Sequence, residues 1–243
     1  MARPEKPVAT SQNLTLDQLV SAAKYYFRDS AELPMLQVAT ISIINASGKA
    51  SKPRTQSIDY LFHGYSKKQS GGNATMHTRQ SMWATFRGSK TLKASFNSDI
   101  LTMTPGILLY SDTSDLTFET KRTAGDPAFT ARFLPKESCS GFVMKDNKDF
   151  YFPDHYCGEY RFVLNDDLRF EKYSLDVTGL PAEIDVAPFG KCTLTRYHGE
   201  VEFQTVALAG EKDPFLVPRL ATATLETSKG TVVISSRYEP KQQ

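Results

Sequence analysis

The sequence lacks long apolar runs, has few cysteines, and from Tyr60 to Ser98 contains no acidic residue at all. Each absence excludes something. No apolar stretch reaches the roughly 18 residues that a membrane-spanning helix needs. The segment Met1–Asn13 is polar, contains Pro4 and Pro7, and has none of the apolar stretch of a secretory leader. An intracellular product is therefore expected. The three cysteines, Cys139, Cys157 and Cys192, are odd in number and widely spaced. That pattern is no disulfide framework, and free thiols are expected.

The common catalytic signatures are missing too. There is no nucleophile elbow, phosphate-binding glycine loop, dinucleotide fingerprint or His-Glu-x-x-His motif. No catalytic residue and no cofactor is assigned. Asp154-His155-Tyr156-Cys157 comes nearest to a metal-ligand pattern, but the paired Cys-x-x-Cys spacing of a structural zinc site is absent. No metal is expected. The many aspartates between Asp99 and Asp185 fall largely at turns, where their side chains bond to local backbone.

What is present is a chain of 243 residues, 40% apolar and 23% charged, enough to bury a full core. One helix is well specified. Thr15 can cap it, and Gln18, three residues on, completes a capping box. Leu14 and Leu19 stand at staple positions, and Leu16, Leu19, Val20, Ala23 and Phe27 follow helical spacing, predicting a helix from about Leu16 to Arg28 packed on a sheet.

After Pro34 the pattern becomes that of strands. Met35–Ile44 and Thr55–His63 read as a hairpin with a long loop beginning at Asn45-Ala46-Ser47-Gly48. Two further hairpins turn at Asn165-Asp166-Asp167 and at Ser228-Lys229-Gly230. Cys192–Tyr197 and Val201–Leu208 read as separate strands. The expected fold is mainly β or α+β: a multi-stranded antiparallel sheet, sandwich or barrel-like, with an N-terminal helix. Residues 1–13 read as a flexible polar arm and 14–243 as one β-rich domain. The loop Gly179–Gly190, with Pro181 and Pro188, is the place for any sub-boundary.

Net charge is only +2, but its distribution is uneven. Residues 33–98 hold nine Lys and Arg against the single acid Asp59, or +8; residues 99–187 hold nine bases and sixteen acids, or −7. Six of the bases, Lys67, Lys68, Arg79, Arg87, Lys90 and Lys93, fall in the acid-free stretch, interleaved with Tyr60, Phe62, Tyr65, Trp83 and Phe86. Such cations neutralise phosphates, and aromatics between them can stack on bases. The same charges suit an anionic membrane surface. These six residues are the candidate binding set for nucleic acid, nucleoprotein or anionic membrane. Segments of opposite charge in one chain also favour association between copies, and a homo-oligomer is expected.

Two short segments resemble the matrix proteins of rhabdoviruses. One is Phe86-Arg87-Gly88-Ser89 followed by Leu92-Lys93-Ala94; the other is Tyr197-His198-Gly199-Glu200-Val201-Glu202. Their order, the chain length and the proline-containing arm are similar to that family. No Pro-Pro-x-Tyr motif is present, unlike animal members. The resemblance implies a non-enzymatic virion protein that self-assembles and binds anionic membrane and the nucleoprotein core, in the virion and the host cell. The competing reading is a small-molecule-binding, calycin-like β-barrel, an isomerase or cyclase without standard motifs. Its cavity would be lined by the aromatics between Phe142 and Tyr173.

Overall fold

A computed structural model describes residues 14–27, 33–62, 116–122, 129–135, 158–177, 182–186, 189–207 and 214–241. The chain enters through α1, Leu16–Tyr26. Thr15 caps it as the sequence predicts. Its Oγ1 accepts from Gln18 N at 3.2 Å, and Gln18 Oε1 accepts from Thr15 N at 3.0 Å. Two backbone donors that a helix start leaves open are thereby satisfied. Leu19, Ala22, Ala23, Tyr25 and Tyr26 are buried, so α1 lies on the sheet. The Phe27 ring meets Phe170 and Phe203 edge-on at 5.1 and 5.2 Å, and the Tyr26 hydroxyl donates to Asp167 O at 3.1 Å.

Among the described residues ten strands follow: β1 Leu33–Asn45, β2 Arg54–Phe62, β3 Leu116–Arg122, β4 Phe129–Pro135, β5 Gly158–Leu164, β6 Phe170–Val177, β7 Ala182–Val186, β8 Gly190–Val206, β9 Phe215–Thr227 and β10 Gly230–Pro240. All pair antiparallel in a single sheet of order β2-β1-β10-β9-β8-β6-β5-β4-β3, with β7 on β8. The protein is thus mainly β, one antiparallel sheet with an N-terminal helix. Strands β1 and β10 alternate buried and half-buried residues along most of their length, the signature of a sheet with one face on a core. Among the described residues that core joins α1 to Met35, Ile41, Val232, Ile234, Ala221, Leu225, Val201, Leu175, Phe162 and Ala131. The polar Gln37 is buried with them and is matched there, its Nε2 lying 3.2 Å from both Ser236 Oγ and Tyr238 OH.

Two expectations change. Cys192–Tyr197 and the part of Val201–Leu208 up to Val206 belong to one strand of 17 residues, β8. Its alternation breaks at Thr195 and Arg196, where the β8–β9 register shifts. This bulge moves the inward set from Cys192 and Leu194 to Tyr197, Gly199, Val201 and Phe203. Gly199 looked like a break but is part of the ladder, and the Tyr197 ring lies 3.4 Å from where its Cβ would be. A ring laid over a strand glycine supplies the packing that the glycine lacks. The second change concerns 179–190, read as a loop. It contains β7, paired from Ala182↔Leu194 to Val186↔Gly190. Pro181 and Pro188 flank this strand and interrupt no rung.

Tyr197 is the exception within the core. Its hydroxyl is buried with no hydrogen-bond partner among the described residues, and burial pushes it well above the ordinary tyrosine value. A buried unsatisfied hydroxyl costs stability, so removing it should help. Tyr197→Phe is expected to be as stable as the parent or up to about 1 kcal/mol more stable. Urea unfolding checks this, and a clear loss of stability would show that the hydroxyl has a partner.

Candidate anionic-partner surface

The candidate residues Lys67, Lys68, Arg79, Arg87, Lys90 and Lys93 lie outside the described residues, as do Trp83, Cys139, Cys157 and His155. Three other bases of the 33–98 block, Lys49, Lys52 and Arg54, are described, and all are exposed in or beside the β1–β2 loop. That loop is held tightly. Asn45 Oδ1 accepts from Ser47 N at 3.1 Å, Ser47 Oγ at 2.7 Å and Lys49 N at 2.9 Å. Gly48 takes φ +80°, which glycine adopts at no steric cost. Beyond the turn, Ala50 bridges back to Ile44 and Ser51 N donates to Ile43 O at 2.7 Å. The basic residues therefore stand along a folded-back loop.

The β9–β10 turn, Ser228-Lys229, reaches the same end of the sheet. Asn45 pairs with Gly230, and Ala46 N donates to Lys229 O at 3.1 Å. The start of β8 joins them: Ser228 N donates to Thr193 O at 2.8 Å, and Lys229 Nζ donates to Phe189 O at 3.0 Å. Gly230 has φ +144°, and a Cβ there would lie 2.2 Å from Ile44 O and 2.7 Å from the Phe189 ring. The three segments meet where only a glycine fits.

Elsewhere the sheet surface carries paired charge. Glu159 accepts from Arg132 Nη2 at 2.6 Å and Arg161 Nη2 at 2.8 Å. Lys172 meets Glu200 at 2.7 Å, Arg196 meets Glu226 at 3.2 Å, Arg237 meets Glu239 at 2.8 Å, and Arg219 bonds Glu202. His198 Nδ1 lies 2.8 Å from Asp176 Oδ1. Arg196 and His198 face Glu226 and Asp176 across a rung, Arg132–Glu159 and Lys172–Glu200 are diagonal neighbours on paired strands, Arg161–Glu159 and Arg237–Glu239 lie two residues apart on one strand, and Arg219 reaches Glu202 from the β9 bulge. Lys49, Lys52 and Arg54 differ: among the described residues, none pairs with a carboxylate. Lys49 and Lys52 stand outside the strands, and Arg54 faces the apolar Ile41.

Of the aromatics once considered for a ligand cavity, Tyr160, Phe162, Phe170 and Tyr173 are described and buried. They pack on one another, Phe162 against Phe170 at 5.9 Å and against Tyr173 at 5.1 Å. The Tyr173 hydroxyl is pushed well above its ordinary value by burial and by the neighbouring Tyr160 and Tyr197. The remainder, from Phe142 to Tyr156, lie outside the described residues. No described helix is long and apolar enough to cross a membrane. Comparison with family models, curated proteins and solved structures finds no match to this chain.

Two outcomes follow from this geometry. Hydrogen bonding to Arg132 holds the Glu159 carboxyl below its ordinary 4.5. A carboxylate with a depressed folded-state pKa adds stability above its unfolded value and loses it as pH falls through the folded one. The stability gap between the parent and Glu159→Gln should therefore be full at pH 7 and close below about pH 4.5, measured by urea unfolding across pH. Gly230→Ala should cost about 2–3 kcal/mol, because backbone and ring must both move. Thermal melts check it, and an unchanged midpoint would show that the turn has room.

Proposed function

We propose that this chain is a non-enzymatic assembly protein of the viral-matrix type, whose basic segment 33–98 engages an anionic partner, nucleoprotein RNA or an anionic membrane surface. The observation that carries the reading is where the sheet's carboxylates find their counter-charges. Glu159, Glu200, Glu202, Glu226 and Glu239 are matched by cations between Arg132 and Arg237. None draws on the +8 segment, whose described members Lys49, Lys52 and Arg54 stand exposed. A polyanion is the natural counterpart of charge left unbalanced in this way.

The rhabdovirus-like segments support the same reading without deciding the partner. Phe86–Ala94 belongs to the basic block, and Tyr197–Glu202 lies within β8. Self-assembly rests on the −7 balance of residues 99–187. Of the acids in that segment, Asp146, Asp149 and Asp154 lie outside the described residues.

The test is binding of the purified chain to RNA and to phosphatidylserine vesicles across a salt series. Affinity should fall steeply with salt, with a logarithmic slope of about −0.7 per phosphate neutralised on a single strand. Changing Lys67, Lys68, Lys90 and Lys93 to Glu should weaken binding at least about tenfold while leaving the melting curve in place, since lysines are seldom fully buried. Unchanged binding would reduce the block to a solvated surface. Salt-insensitive binding would point to an apolar site.

A further inference from the structure

The two hairpin turns at the β1–β2 and β9–β10 end bring together charge from segments about 180 residues apart in the chain, and the sequence alone does not join them. Residues 45–54 contribute Lys49, Lys52 and Arg54; residues 227–231 contribute Lys229. Neither segment contains an acid. The nearest carboxylate in sequence, Glu226, is taken by Arg196 at 3.2 Å. Lys191, whose rung partner is Asp185, is not counted in this set. The framework is rigid, because Asn45, Ala46, Ser228 and Lys229 are tied by backbone hydrogen bonds between the turns and β8.

We propose that this end of the sheet is a docking surface for the phosphodiester backbone of a nucleic acid, with Lys49, Lys52, Arg54 and Lys229 as the cations that meet phosphates. The inference rests on the reading of the protein as a binder of anionic partners, and it names the partner class and a second contact region. The side chains between the cations decide the class. The Asn45 amide and the Ser51 and Ser228 hydroxyls are short polar donors suited to hydrogen bonding with phosphate and sugar oxygens, while the Ser47 hydroxyl is held by Asn45 Oδ1. No aromatic or long apolar side chain stands free in residues 45–54 or 227–231 to enter a lipid interface, and Phe189 beside them packs on the core. The absence of aromatics also excludes stacking on bases here, so the contact reads charge and not sequence. The fixed frame limits the ordering cost of binding, because the backbone that carries the cations is already set.

The experiment uses the full chain with two probes: a fluorescent single-stranded RNA of mixed sequence, and vesicles of phosphatidylserine and phosphatidylcholine. Four proteins are compared, each with a thermal melt: the parent, K49E/K52E/R54E, K49Q/K52Q/R54Q and K67E/K68E/K90E/K93E. All three variants should melt like the parent. The Gln triple should lower the RNA salt slope by about 2, as three lost phosphate contacts require, and the Glu triple should weaken RNA binding at least about tenfold at low salt. Vesicle binding should change less than RNA binding in both triples. An unchanged RNA slope in the Gln triple overturns the proposal. So does loss of vesicle binding with RNA binding intact, which would make this end a lipid contact. If the rim variants bind normally while the Lys67, Lys68, Lys90, Lys93 variant does not, the rim inference fails and the broader reading stands. If the parent binds neither probe, both fail.

Discussion

The ladder between β8 and β9 is the constraint on which the rest of the structure depends. It runs from Leu194↔Thr227 to Val206↔Phe215, and no other strand has as many partners as β8. On one edge β8 carries β9, which leads through β10 to β1 and β2; on the other it carries β6 and β7. Its inner face supplies Phe203, which receives the end of α1 through Phe27. The ladder must change register twice to do this. At Leu194/Arg196 the extra residue lies on β8, and at Glu202/Phe203 it lies on β9, where Arg219 is passed over and Pro218 faces Phe203. Each shift re-aims the inward set so that both halves of the strand face one core.

Charge on the sheet follows from that pairing. Once register is set, Lys172, Glu200, Glu202 and Arg161 have fixed cross-strand neighbours, and opposite signs fall within reach. Exposed pairs of this kind contribute little to stability individually. Their larger effect is to neutralise the sheet, which leaves the loops and turns as the places where unbalanced charge can accumulate. The basic rim at the β1–β2 and β9–β10 end is the described instance.

What the sequence revealed of this depended on how local the physics was. The Thr15–Gln18 box, the turn after Leu164 and the turn at Ser228-Lys229 are each decided within a few residues, and each was legible. β8 was not, because the glycine and bulge within it look like punctuation when the covering Tyr197 ring and the partner strand cannot be seen. β7 was hidden by its flanking prolines. For the site, the basic block was plain from composition, but the meeting of Lys229 with Lys49, Lys52 and Arg54 depends on the Asn45↔Gly230 rung, a long-range fact. The six bases between Lys67 and Lys93 lie outside the described residues, so their arrangement is not part of that comparison.

The bulge at Thr195 has one more consequence. On the opposite edge of β8, pairing with β7 ends at Leu194 and pairing with β6 begins at His198. The two partners are laid end to end, and the interval between them coincides with the register shift toward β9. Across that interval β8 is held to β9 by side chains as well as backbone, Thr195 Oγ1 donating to Glu226 O and Arg196 Nη1 to Glu226 Oε1, so the seam between β7 and β6 on one edge is bridged from the other.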